Sequence, residues 1–295
     1  MRLLNRRRVE VPSASRDVDV TLALSFFLPV ALFPFVFAVL ISFQRSNIAG
    51  FQWSFDLDAW RSVFATGRFD VVLRTLRIGA IVSAVATILA VPASYYLCRA
   101  RPTVRSITLA LLIAPFFVDL TSRMFSLRIA LSRQGIFEEL LSLFGVPVGS
   151  TAAWLFGEPG VFIGLLAGYA CAAIFPIFLS MSLIHPNLLD AGRSLGCGEW
   201  RLVRRVVLPL SLPGVGCGFL LCLLYCVGDF VIPTTVSGDA VTLLGSSMQS
   251  AITASRYPVV GALTVILFGW MLGLLALGLL LLAIVRKHRQ SLGHA

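Results

Sequence analysis

Residues 187–214 read NLLDAGRSLGCGEWRLVRRVVLPLSLPG, a polar stretch between two long apolar runs. Asn187 is placed to cap a short helix. Small and apolar residues then recur at helical spacing on one face of that helix, at Leu188, Ala191, Gly192 and Leu195. Gly196 and Gly198 predict a turn, and a second helix is predicted to begin at Glu199. The stretch therefore predicts a helical hairpin that presents a contact surface.

The composition is that of an integral membrane protein. Of 295 residues, 58% are hydrophobic and 13% are charged, and the mean hydropathy is +0.90, which leaves too little polar surface for a water-soluble globule. A bilayer core takes about 20 apolar residues as a helix. Six windows of this kind occur, at 21–43, 78–98, 106–131, 161–184, 206–228 and 257–285. Because backbone groups in lipid must be satisfied internally, we expect an all-α polytopic membrane protein with six transmembrane helices.

The basic residues predict which side each segment faces. Segments 1–20, 99–105, 185–212 and 286–295 together hold 15 of the 24 lysines and arginines. Such an excess is typical of cytoplasmic loops, so both termini are predicted to be cytoplasmic. The net charge of +10 is then a signal of topology and of attraction to anionic membrane lipid, and it does not indicate nucleic-acid binding.

These predictions divide the chain into three parts. Residues 1–20 are a cytoplasmic basic arm, residues 21–285 are a six-span transmembrane domain, and residues 286–295 are a cytoplasmic tail. The polar hairpin falls in the cytoplasmic loop 185–212, between the fourth and fifth spans.

Motifs for catalysis, nucleotide binding and metal binding are missing from the sequence. It contains three histidines, no His-Glu-x-x-His, no Gly-x-Ser-x-Gly and no Gly-x-x-x-x-Gly-Lys-Ser/Thr phosphate-binding loop. We therefore predict no enzymatic activity, no cofactor and no metal site. A transporter of this kind would draw its energy from an ion gradient or from a separate ATPase.

Three charged residues in the apolar windows are candidates for a translocation path. Asp119 and Arg123 are four residues apart in the third window, and Asp229 lies at the outer end of the fifth. Ionised side chains are costly in lipid unless they are paired or hydrated. Two interpretations of Asp119 and Arg123 remain open, an internal ion pair at a helix end and a polar lining of a path.

The spacing within the hairpin carries a family resemblance. Asp190-Ala191-Gly192, three residues, Gly196, nine residues and then 206–209 (VVLP) resembles the cytoplasmic loop signature of permease subunits of binding-protein-dependent ABC importers. The family pattern is Glu-Ala-Ala, three residues, Gly, nine residues, Ile-x-Leu-Pro. This chain differs at Asp190, Gly192 and Val206, each a substitution that is conservative in charge or size.

Four further stretches resemble the spermidine/putrescine branch of that family: 55–64 (FDLDAWRSVF), 114–141 (APFFVDLTSRMFSLRIALSRQGIFEELL), 228–238 (GDFVIPTTVSG) and 255–263 (SRYPVVGAL). The resemblance implies a type I importer fold in a bacterial inner membrane, with a second permease subunit, a cytoplasmic ATPase dimer and an outer solute-binding protein. It also implies that the loop docks on the ATPase through Asp190, Ala191, Gly192, Leu195, Gly196, Leu208 and Pro209.

Alternatives remain at this point for the hairpin, the energy source and the cargo. The hairpin would otherwise be a surface helix held on lipid head groups by Arg201, Arg204 and Arg205. An ion-gradient-coupled secondary transporter would use Asp119, Arg123 and Asp229 as coupling groups. The two acids suit a polyamine-like cation, whereas Arg123 favours an anion, so the sequence leaves the cargo open.

Overall fold

The computed structural model describes residues 25, 29–30, 32–45, 55–65, 67–132, 135–136, 139, 157–238 and 240–292. The regular elements in this part of the chain are helices. In order they are α1 (Leu32–Ser42), α2 (Asp58–Ala65), α3 (Arg68–Arg99), α4 (Pro102–Phe117), α5 (Leu120–Leu131), α6 (Glu158–Ser182), α7 (Pro186–Ser194), α8 (Glu199–Leu202), α9 (Leu208–Gly228), α10 (Val231–Ser237), α11 (Leu244–Thr253) and α12 (Tyr257–Leu292). A π-helical turn, Val203–Val207, joins α8 to α9 without a break.

Four helices of the described chain are long and apolar enough to cross a membrane: Arg68–Arg99, Glu158–Ser182, Glu199–Gly228 and Tyr257–Ala276. The pair α4 and α5 makes a fifth span if it is counted as one crossing. The first predicted window, 21–43, lies largely outside the described residues, and α1 covers its described end. The basic arm 1–20 lies outside them entirely. The last helix continues beyond the predicted end of its window, to Leu292.

The third predicted window is not one continuous helix. Helix α4 ends at Phe117, α5 begins at Leu120, and their axes differ by 95°. Val118 is extended, and the Asp119 carboxylate accepts a hydrogen bond from the Ser122 backbone N–H at 3.2 Å. That bond is an N-cap, which stabilises the start of a new helix. The break therefore follows from Asp119, although Pro115 is the more obvious helix breaker in this window.

The core of the bundle is built by α3, α6 and α9, each of which packs against the other two. Val82, Leu165 and Ile177 are fully buried where these helices meet. The short helix α10 packs against α5 and α6. A second apolar cluster lies between α2, α11 and α12. At one end of the bundle α3 and α6 finish and α9 starts, and the hairpin formed by α7 and α8 lies at that end.

Candidate functional site

The first arm of the hairpin begins one residue before the predicted cap. Helix α7 starts at Pro186, and His185 is its N-cap, with Nδ1 accepting the Asn187 backbone N–H at 3.4 Å. Proline suits the first position of a helix because its missing N–H would have no partner there. The prediction that Asn187 caps this helix is wrong, and Pro186 was the signal that placed the cap at residue 185.

The turn of the hairpin is a Schellman motif. The Cys197 N–H donates to the Gly192 carbonyl at 3.1 Å, and the Gly196 N–H donates to the Arg193 carbonyl at 2.9 Å. Gly196 has φ +77°, a left-handed conformation that glycine adopts without steric cost. The structure thus confirms that Gly196 ends the first arm. Gly198 has φ −64°, which any residue can adopt.

Gly192 lies where the two arms of the hairpin come closest. A Cβ atom at this position would be 2.4 Å from Leu202 Cδ1. Leu202 has no exposed surface, so its side chain has little room to move. The sequence suggested that Gly192 allows another protein to come close. In the structure the close neighbour of Gly192 is a residue of the same hairpin.

The other residues on the apolar face of α7 are exposed. Leu188 is 51% exposed and Leu195 is 84% exposed, and Ala191, between them on the same face, is also exposed. We call Leu188, Ala191 and Leu195 the docking face. Exposed apolar residues that are neighbours on one helix face form a patch, and larger patches of this kind mark interaction sites.

The last two residues of the loop signature follow the π-helical turn. Val207 is buried at the end of this turn, Leu208 is half-buried and Pro209 is exposed. Proline removes one backbone donor from a helix, and the wider π turn rearranges the neighbouring hydrogen bonds. The second arm of the hairpin therefore runs into α9 as one bent but unbroken rod.

A chain of ion pairs connects the hairpin to helix α3. Asp190 pairs with Arg193 at 2.9 Å, and Arg193 Nε donates to Glu199 Oε1 at 3.2 Å. The other oxygen of Glu199 accepts the Tyr95 hydroxyl at 2.6 Å and pairs with Arg99. The hydrogen bond to Glu199 raises the pKa of the Arg193 guanidinium above its usual value.

Sequence reasoning missed this connection. It used Glu199 only as a helix start, and it assigned no role to Tyr95 or Arg99. A local signal existed, since Tyr95 and Arg99 are four residues apart and share one face at the end of α3. Their partner Glu199 is 104 and 100 residues away in the chain, however, and no periodicity in the sequence indicates such a pairing.

Asp119 and Arg123 do not form an ion pair in the structure. The Asp119 carboxylate caps α5, and the buried Nε of Arg123 has no hydrogen-bond partner among the described residues. The interpretation of these two residues as an internal ion pair is therefore wrong.

Asp229 is buried, with 6% of its surface exposed. Its two carboxylate oxygens accept the backbone N–H groups of Val231 at 3.1 Å and Ile232 at 3.0 Å, which caps α10. Tyr169 lies beside it and stacks on Tyr225 with ring centroids 5.2 Å apart. Of the three predicted path residues, Asp229 is the one that the structure places beside Tyr169.

Metal binding finds no support in the part of the chain that the structure describes. No group of three or more His, Cys, Asp or Glu side chains is close enough there to hold a metal ion. The buried cysteines Cys222 and Cys226 lie on α9 and belong to the apolar core.

Comparison with known proteins gives consistent matches over most of the chain. The model of a family described as "Binding-protein-dependent transport system inner membrane component" matches residues 84–290. The spermidine/putrescine transport system permease protein PotB of Salmonella typhimurium (strain SL1344) is 26% identical over 266 residues, which cover 90% of this chain and 92% of that protein. PotB of Escherichia coli (strain K12) is 29% identical over 237 residues, covering 80% of this chain and 86% of that protein.

A solved structure shares the fold. It is a chain of the bacterial alginate ABC transporter crystallised in complex with an alginate pentasaccharide-bound periplasmic protein. The TM-score is 0.68 at 13% sequence identity, and the match covers 90% of this chain and 91% of that one.

Proposed function

This chain belongs to the family of binding-protein-dependent transport system inner membrane components. It is therefore a multi-pass permease subunit of an ABC importer, and the ATPase is a separate subunit. We propose that its loop 185–212 binds that ATPase. The proposal assigns the docking to Asp190, Ala191, Gly192, Leu195, Gly196, Leu208 and Pro209. Family membership also decides between the two energy sources, in favour of ATP over an ion gradient.

The observation that carries the docking proposal is the exposure of the docking face. Leu195 is 84% exposed and Leu188 is 51% exposed on the first arm of the hairpin. Apolar residues at the centre of an interface supply much of its binding energy. A protein groove fits this narrow face better than lipid head groups do, because the three arginines at 201, 204 and 205 lie on the other arm of the hairpin.

These seven residues and Leu188 have different parts in the proposed docking. Leu188, Ala191 and Leu195 touch the ATPase, and Asp190 is exposed beside them for a polar contact. Gly192 and Gly196 shape the hairpin and do not touch the partner. Leu208 and Pro209 begin α9, which carries the movement of the hairpin into the membrane.

The full importer contains this chain, a second permease subunit, an ATPase dimer and an outer solute-binding protein. The family name itself refers to a binding protein, and the alginate transporter with the same fold was crystallised with its periplasmic protein. The chain crosses the membrane six times, with α1 as part of the first span and the bent pair α4 and α5 as the third. Residues 1–20 form a cytoplasmic arm, and both termini are cytoplasmic; the distribution of arginines supports this orientation.

The cargo is a polyamine-like cation. The two PotB relatives are named for spermidine and putrescine. Asp229 and the stacked rings of Tyr169 and Tyr225 form an acidic and aromatic cluster, and amines bind such clusters through charge pairing and cation–π contact. A positive charge in the path would repel cations, so we expect Arg123 to move away from the path or to pair with Asp229 during transport.

Two variants of Leu195 test the docking. The chain is expressed with the ATPase of its own host, and the ATPase recovered with the affinity-tagged chain is measured. Leu195→Asp places a charge in the apolar contact and is expected to abolish recovery, while Leu195→Met keeps an apolar side chain and is expected to preserve it. Equal recovery with both variants would show that the docking face does not bind the ATPase.

A transport assay tests the cargo. Cells that depend on this importer are supplied with labelled spermidine or putrescine, and uptake is compared with that of a neutral sugar and of an oligosaccharide acid. We expect uptake of the two amines alone. Uptake of the acid in preference to the amines would overturn the cargo assignment and leave the docking proposal intact.

A further inference from the structure

The Glu199 carboxylate contacts two parts of the molecule at once. Its Oε1 accepts a hydrogen bond from Arg193, which lies on α7. Its Oε2 accepts the Tyr95 hydroxyl at 2.6 Å and pairs with Arg99, both of which lie on α3. We call Glu199, Arg193, Tyr95 and Arg99 the Glu199 clamp. Glu199 itself is the first residue of α8, so the clamp ties both arms of the hairpin to a membrane helix.

The clamp is ordered by more than charge. The Arg99 guanidinium carbon lies 4.1 Å from the centre of the Tyr95 ring, which is a cation–π contact. Tyr95 is 9% exposed and is held in the core between α3 and α6. A buried aromatic side chain that ends in a hydrogen bond to a surface carboxylate fixes the position of that carboxylate.

The residues of the clamp differ from those of the loop signature. The signature residues either build the hairpin or form its exposed face, and none of them reaches α3 in these contacts. Helix α9 continues from the hairpin by covalent connection, whereas α3 is separate in the chain. Movement of the hairpin can therefore reach α9 through the backbone, but it needs side-chain contacts to reach α3 directly.

We propose that Glu199 is a positioning residue that couples the hairpin to α3, so that the two move as one rigid unit when the ATPase closes. This proposal rests on the proposed docking of the hairpin on the ATPase. Removing the Glu199 carboxylate is expected to leave the hairpin folded, because the Schellman turn and the contact of Gly192 with Leu202 do not involve it. It is expected to free the hairpin from α3.

The chain offers a matched control on the same helix. At the opposite end of α3, Glu158 of α6 pairs with Arg74 at 2.7 Å and with Arg77 at 3.0 Å. This cluster has one acid and two arginines, as the Glu199 clamp does, but it lies far from the hairpin. Glu158→Gln therefore removes a comparable ion cluster from α3 without touching the coupling contact.

The experiment measures the distance between the hairpin and α3 in the assembled importer. Spin labels are attached to cysteines at Ser194 on α7 and at Ala93 on α3, both exposed, in a chain whose six native cysteines have been replaced. The complex with its host's other subunits is studied in lipid nanodiscs, without nucleotide and with MgATP and vanadate. Recovery of the ATPase with the tagged chain is measured on the same samples.

In the unmodified clamp we expect one narrow distance distribution that is the same in both nucleotide states. In Glu199→Ala and Glu199→Gln we expect a broader distribution that shifts when ATP binds, with normal recovery of the ATPase. Tyr95→Phe, which loses one hydroxyl, should give a smaller broadening. Glu158→Gln should match the unmodified chain.

Several results would overturn the proposal. A narrow and unchanged distribution in both Glu199 variants would show that the clamp does not hold the hairpin to α3. The same broadening in Glu158→Gln would show that any loss of ion pairs loosens the bundle. Failure to recover the ATPase with the unmodified chain would refute the docking proposal itself, and the nucleotide-free distances would still decide whether Glu199 joins the hairpin to α3.

The consequence for transport is measured as uptake per recovered ATPase complex. Single residues in a coupling network change the coupling by about 2- to 30-fold, and we expect a loss in this range for Glu199→Ala. The loss should exceed that of Glu158→Gln. Equal uptake by the two variants would mean that transport does not depend on the clamp.

Discussion

Leu202 occupies the space next to Gly192 so completely that a Cβ atom at residue 192 would lie 2.4 Å from Leu202 Cδ1. The contact joins the two arms of the hairpin between α7 and α8. Gly192 has no side chain, and its role is therefore to let the two arms pack closely against each other.

Gly192→Ala is therefore expected to destabilise the hairpin. Overpacking of a buried contact costs about 1–3 kcal/mol, and faster protease cleavage within 185–212 measures it. Gly198→Ala is the matched control, since a Cβ atom there meets nothing within 4 Å and its φ is −64°. The double variant with Leu202→Ala should lose less stability than the sum of the two single losses, because the smaller side chain makes room for the added methyl group. Equal cleavage of Gly192→Ala and Gly198→Ala would contradict the packing role.

The loss of uptake on replacing Gly196 should depend on how easily the new residue adopts a left-handed conformation, more than on the size of its side chain. Gly196 has φ +77°, and a Cβ atom there meets nothing within 4 Å. A left-handed conformation costs a residue with a side chain about 1–2 kcal/mol, and less for asparagine. Uptake should therefore fall in the order Gly, Asn, Ala and Val. If Asn and Val were equally inactive, a clash with the bound ATPase would be the better explanation.

Two variants of Asp229 separate its capping role from a role in the path. Asp229→Ala removes both acceptors of the N-cap, with an expected cost of about 1–2 kcal/mol and a lower Tm, while Asp229→Asn keeps one acceptor and most of the stability. Both remove the charge, so both should lose cation uptake equally if the charge guides the cargo. If uptake by the two variants fell in proportion to their loss of Tm, Asp229 would have only the capping role.

Cysteine labelling tests the orientation of the chain. In a background without native cysteines, Ser194→Cys on the hairpin should react with a membrane-impermeant maleimide only in inverted membrane vesicles. Phe55 precedes α2 and is 94% exposed. Phe55→Cys should react with the same maleimide only in intact cells whose outer membrane has been made permeable. The opposite pattern would invert the assignment of the cytoplasmic side.

Structural features that depend on residues close together in the chain could be predicted from the sequence. The apolar windows predicted the long helices α3, α6, α9 and α12, because lipid leaves helices as the only way to satisfy their backbones. The loop spacing led to the correct family. Gly196 was identified as the helix end because its position between two helical patterns requires a positive φ.

Predictions failed where local signals competed or where partners were far apart. The window 106–131 was predicted as one span, but Val118 and the cap at Asp119 make a complete break within it. The i, i+4 spacing of Asp119 and Arg123 suggested an ion pair, but the Asp119 carboxylate accepts a hydrogen bond from the Ser122 backbone N–H instead. The contact between Tyr95 and Glu199 depends on how three helices pack, which no single stretch encodes.

The two ion clusters on α3 also define a length. Arg74 and Tyr95 are 21 residues apart, and at the helical rise this separation corresponds to about 31 Å. The hydrocarbon core of a bilayer is about 30 Å thick. Glu158 and Glu199 can therefore sit at the two water boundaries at the same time, where their charges remain hydrated. The part of α3 between the two clusters is therefore as long as the bilayer core is thick.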